Sequence, residues 1–158
     1  MNVIVDVQGF KTDDNQFILK EIAMIHEKQV QVFLIKPPFA YYDLSKTERR
    51  QVSWIERNRG IYWKEGFIPY SCHKNYIVQL LSNKIIYTKG MEKVKWLIEI
   101  TKNNNVYNLE DKNCPSLLSL YDKYNDSIDV ISCMYHTDTC ALKNVTCLNK
   151  WLKENKVF

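Results

Sequence analysis

Two thiols and an imidazole fall within eight residues near the C-terminus, as Cys133-x2-His136-x3-Cys140. Soft sulfur donors beside a borderline nitrogen suit a divalent ion such as zinc. Ala141-Leu142 and a helical pattern follow at once, so the cluster stands at the mouth of a helix. Three such donors leave a tetrahedral ion one ligand short. A candidate for the fourth lies far off in sequence. Glu21 stands in a run where Phe17, Leu19, Ala23 and Ile25 are expected on its own side. A carboxylate on an apolar face is costly unless paired, protonated or metal-bound, the plain alternative being an outlet to solvent or an arginine near the strand end. Asp6, on a side shared with Ile4 and Gln8, raises the same question.

The elements that must position these residues follow from periodicity. Asn2 to Val7 alternates, Gly9 is expected to break the run, and Lys11 to Gln16 is turn material. Phe17 to Ile25 and Gln29 to Ile35 read as further strands of an antiparallel meander. Pro37-Pro38 ends the third, because proline cannot donate to a ladder. Ser45 with Glu48 forms a capping box that opens a helix to about Asn58. A short helix (Lys74 to Leu81), a strand (Lys84 to Tyr87), a helix (Glu92 to Ile100) and a short strand (Val106 to Leu109) come next. A helix over Pro115 to Tyr124 and a last one from about Cys140 to Leu152 complete an α/β order, three antiparallel strands and then βαβα.

At 158 residues, 46% of them hydrophobic, with only four Gly and four Pro, the chain is expected to form one domain over residues 1–158. No apolar run approaches the ~20 residues of a membrane span. The first ten residues read as a strand and not as a leader, so an intracellular setting, cytoplasmic and/or nuclear, is expected. Five cysteines without a leader disfavour a disulfide framework. Cys72, Cys114 and Cys147 read as small buried hydrophobes.

Charge is uneven. Residues 44–95 hold eleven Lys/Arg against four Asp/Glu, whereas the remainder holds eleven against fourteen. One cationic face suits a polyanion, with a merely solvated surface as the alternative. Arg49, Arg50, Arg57 and Arg59 interleave with Trp54 and precede Tyr62 and Trp63. Arginine neutralises phosphate and exposed aromatics stack on unpaired bases, although the plainer reading makes Trp54 and Trp63 core residues and the arginines a solvated helix face. Lys89 and Lys93 join the candidate nucleic-acid contacts.

Three stretches together resemble the Maelstrom domain: the Cys133-x2-His136-x3-Cys140-Ala141-Leu142 run, Lys20-Glu21-Ile22-Ala23, and Lys89-Gly90-Met91-Glu92-Lys93-Val94-Lys95-Trp96-Leu97. The resemblance implies an RNase H-like mixed sheet of the DEDD 3′–5′ exonuclease lineage, with helices on both faces. It also implies one zinc held by Glu21, Cys133, His136 and Cys140. The lineage opens on Asp-x-Glu, where this chain has Asp6-Val7-Gln8. Glu92 and Lys93 stand near its second acidic position, and Cys140 stands where its His-x4-Asp motif ends. Two-metal chemistry needs converging hard oxygen ligands, and soft ones replace them here.

The expected function is therefore a degenerate exonuclease that binds single-stranded RNA. Residual endoribonuclease activity and a role with silencing proteins in small-RNA (piRNA) control of mobile elements are what the family implies. For any cleavage, His26, His73, Lys89 and Lys93 are candidates by residue type alone, against a plain surface role. Two rivals remain: an active Mg- or Mn-dependent nuclease using Asp6, Glu21, Glu92 and Asp138, and a protein-interaction adaptor on the same fold.

Overall fold

The computed structural model describes residues 1–131 and 140–157. Three strands, β1 (Asn2–Lys11), β2 (Phe17–His26) and β3 (Gln29–Leu34), form an antiparallel meander. Beyond them come α1 (Lys46–Arg59), α2 (Tyr70–Leu81), β4 (Ile85–Thr88), α3 (Met91–Thr101), β5 (Val106–Asn108), α4 (Leu117–Lys123) and α5 (Ala141–Glu154). Short 3-10 turns at Tyr41–Asp43 and Leu109–Lys112 add to the expected order. The five strands make one mixed sheet, β3-β2-β1-β4-β5, in which β4 runs parallel to both β1 and β5.

Each face of the sheet has its own core. Val3, Val5, Val7, Ile22 and Met24 meet Ile77 and Leu81 of α2 and Leu97 of α3. Ile4, Ala23 and Ile25 meet Val145, Leu148 and Trp151 of α5 and Leu120 of α4. The alternation of β1 thus sends successive residues to opposite helical layers. A third cluster, Phe10, Ile18, Val52, Ile55, Ile61 and Trp63, packs α1 against the far end of the β1–β2 ribbon.

That ribbon departs from simple alternation. Gln8 faces Glu21 but Gly9 faces Leu19, so Lys20 is an extra residue in β2. Gly9 does not end the strand, as its type suggested, but sits opposite this bulge. A Cβ there would come within 2.0 Å of the Ile18 carbonyl oxygen, which only glycine avoids. The bulge also inverts the side-chain parity upstream. Leu19 packs with Ile22 and Met24 on the α2/α3 side, and Phe17 joins the same cluster. The expectation that Phe17 and Leu19 share Glu21's face is therefore corrected.

Helix boundaries have local causes. Ser45 caps α1 by accepting from Glu48 N while Glu48 accepts from Ser45 N, and Gly60 closes the helix at φ 69°. Cys140 caps α5, its Sγ accepting from Lys143 N at 3.3 Å.

Candidate functional site

Glu21, 119 positions before Cys140 in sequence, reaches the entrance to α5 that Cys140 caps. Glu21 is fully buried and its Oε1 accepts the Ala141 N–H. Cys140 is buried beside it, with its sulfur on the Lys143 amide. The partial positive charge of a helix N-terminus suits electron-rich ligand atoms of this kind. This pair has the chemistry of half a zinc site. Cys133, His136 and Asp138 lie outside the described residues. Among the described residues no three His, Cys, Asp or Glu side chains cluster at metal-binding range.

Asp6 organises a second buried node. Its side chain is 1% exposed, and Lys93 Nζ lies 2.5 Å from Oδ1. Gln8 Nε2 donates to Oδ2 at 2.9 Å and Asn144 Nδ2 donates to the same atom at 2.8 Å. Tyr121 in turn donates its hydroxyl to Asn144 Oδ1. Burial, then the negative charge of Asp6, holds the Tyr121 phenol well above its ordinary pKa, so it stays a donor. Lys93 reaches Asp6 because β4 pairs with β1 only over Asn2, Val3 and Ile4. The lysine on the first turn of α3 passes over the open end of β4. An ammonium therefore sits where a cation would neutralise this carboxylate.

Another carboxylate proposed for hydrolytic chemistry, Glu92, goes elsewhere. Glu92 is exposed and bonds Lys11 at 2.7 Å, so Glu92 and Asp6 do not share a cation. Lys89 pairs with Glu110 at 3.6 Å. Both lysines singled out for nucleic-acid contact thus have carboxylate partners, and neither belongs to α1.

On α1 the cations remain together. Lys46, Arg50 and Arg57 follow one side of the helix, with Arg49 flanking them. None of these four forms an ion pair with a described carboxylate. Trp54 is 50% exposed and the Arg59 guanidinium stands 5.7 Å from its ring centroid. Tyr62 is equally exposed, whereas Trp63 is buried at 1%, against Phe10 and Phe39. The core alternative thus holds for Trp63 and not for Trp54.

Two expectations drawn from residue type change. His73 is a buried residue, not a surface one; its Nδ1 meets the Tyr70 carbonyl, and burial pushes its pKa down. Cys72 is half-exposed, whereas burial pushes Cys114 and Cys147 up to about 11, as inert core thiols. His26 bonds the Asn2 carbonyl at 2.8 Å.

Lys20 was noticed only as a neighbour of Glu21. Its Nζ donates to the carbonyls of Ile35, Trp63 and Glu65 at 2.6, 2.7 and 2.5 Å, and burial pulls its pKa down to about 8. Asn144 and Tyr121 were also missed. The available signal was spacing: Asn144 falls four residues after Cys140, on the cysteine's side of a largely apolar helix.

Compared with known proteins, the chain matches no family model and no curated sequence. No described helix is long and apolar enough to cross a membrane.

Proposed function

We propose that this chain is a single-stranded RNA-binding domain on an RNase H-like frame of Maelstrom type, with its two-metal nuclease centre lost and a structural zinc gained. The observation that carries the RNA reading is the α1 face, where cations without carboxylate partners among the described residues adjoin an exposed Trp54. Lysine and arginine contribute phosphate affinity without sequence preference, and an exposed indole contributes stacking that needs an unpaired base.

Three further features support the frame and the chemistry. A mixed sheet of three antiparallel strands followed by β4 and β5, with helices on both faces, supports the RNase H-like frame. At Asp6 the Lys93 ammonium takes the place of a hard metal, and Gln8 and Asn144 supply amides where carboxylates would be needed. At the entrance to α5, Glu21 and Cys140 would hold zinc together with Cys133 and His136. Closed in this way, the ion would cross-link β2 to α5 and would not activate water.

Fluorescence anisotropy with labelled single-stranded and duplex RNA of one sequence, at about 50 mM salt, tests the reading. Tighter binding of the single strand, with no cleavage on adding Mg²⁺ or Mn²⁺, is expected. Absence of binding overturns the RNA reading. Mn²⁺-dependent cleavage abolished by Asp6→Asn overturns the loss of the nuclease centre.

A further inference from the structure

The geometry points to a discrete phosphate seat on α1, between Lys46, Arg49, Arg50, Ser53 and Tyr41, that takes one phosphate group of a bound strand while the neighbouring base reaches Trp54. This inference rests on the RNA reading and sharpens it from a charged face to a defined subsite.

The five residues line an open cleft of about 510 Å³, many times the ~30 Å³ share of one water. Lys46, Arg49, Arg50 and Ser53 fall at i, i+3, i+4 and i+7, so a single helix face presents them. Tyr41, from the turn before α1, closes the far side, its hydroxyl 3.4 Å from Ser53 Oγ.

Arg49 brings a second guanidinium to this lining. Its Nε is enclosed by the protein and has no hydrogen-bond acceptor among the described residues, so the arginine contributes to the seat through its charge. The local carboxylates do not neutralise that charge. Glu48 spends its oxygens on the amides of Ser45 and Asp13, and Asp13 accepts from the Ser45 hydroxyl. Three cations within two turns repel one another until an anion joins them.

The donor set selects the anion. Two guanidiniums, an ammonium and two hydroxyls exceed what the two oxygens of a carboxylate can use. A phosphate offers more acceptors in a geometry that arginine grips in bidentate fashion. Trp54 stands four residues after Arg50, within one nucleotide's reach along the helix. The phosphate can be a 5′-terminal group or an internal diester.

The test uses two readouts on the intact chain. First, inorganic phosphate is titrated while the side-chain Nε–H resonance of Arg49 is followed by ¹⁵N-resolved NMR; a saturable shift is expected. Second, binding of a roughly eight-nucleotide single strand, with a 5′-phosphate or a 5′-hydroxyl, is compared between the native chain and Arg50→Gln and Lys46→Gln. Each substitution is expected to weaken binding about tenfold. Equal loss for both strands identifies an internal diester, and loss confined to the phosphorylated strand identifies a terminal phosphate. No Arg49 shift overturns the seat, and so does a shift accompanied by unchanged RNA affinity in both variants. If the native chain binds no RNA at all, the RNA reading fails by itself. The Arg49 titration then still decides whether phosphate is held.

Discussion

Lys93 Nζ and Asp6 Oδ1 stand 2.5 Å apart, although 87 positions separate the two residues in the chain. The carboxylate is buried, and that ammonium and the amides of Gln8 and Asn144 are its partners. Removing one partner of a buried pair strands the other. Lys93→Met is expected to destabilise the domain by about 3–5 kcal/mol. Adding Asp6→Asn should recover part of that loss, because no charge then remains. Chemical denaturation of the native chain, both single variants and the double variant measures the coupling. Additive losses would show that the pair does not act as a unit.

Zinc at the α5 entrance makes a separable forecast through Cys140. Serine caps a helix at least as well as cysteine, so Cys140→Ser preserves the bond to Lys143 N while removing a soft ligand. Protein purified without chelator should carry about one zinc per chain. The variant should lose that metal and melt several degrees lower. An unchanged or raised melting point, with no zinc in either protein, would remove the metal from the account.

Lys20 predicts a pH signature. Burial lowers its folded-state pKa from 10.5 to about 8, so between those values the unfolded chain holds the extra proton. Stability therefore rises with pH across that window through this group. Lys20→Met removes the titration and leaves the three carbonyls without their donor, at a cost of roughly 1–3 kcal/mol. The stability gap between native and variant should widen from pH 7 to pH 10, since groups common to both cancel. A narrowing gap would contradict the burial argument.

Gly9 tests the bulge. Gly9→Ala drives a methyl into the Ile18 carbonyl and should cost roughly 3 kcal/mol. Gly60→Ala meets no atom within 4 Å and strains only a φ of 69°, so it should cost less. Thermal melts of the two variants separate a close backbone approach from simple loss of glycine freedom.

The order of elements was legible because amphipathic periods are local, as in α5, where Ala141, Val145, Leu148 and Leu152 recur on one side. Side-chain parity along β2 was not. One extra residue at Lys20 turned Leu19 to the opposite layer, and nothing in a period-two pattern announces a bulge. Glu21 drew notice as a carboxylate on an apolar strand face and joined the zinc set only through the resemblance; its bond to the Ala141 amide depends on the tertiary approach of β2 to α5. The Asp6–Lys93 pair was not anticipated. Its partners come from the first strand and the third helix, and pairing at that separation depends on where β4 stops. Trp54 and Trp63, only nine residues apart, divided between solvent and core according to which side of α1 and its following turn each occupied.

The central claim is RNA binding through α1, and the most direct measurement is the salt dependence of single-stranded RNA affinity for the native chain, Arg57→Glu and Trp54→Ala. Each phosphate contact to a single strand contributes about −0.7 to the slope of log K against log salt. Arg57→Glu should weaken binding and flatten that slope by about one contact. Trp54→Ala should cost about 1–3 kcal/mol with the slope unchanged. Native affinity that ignores salt, or variants that bind like the native chain, would contradict the account.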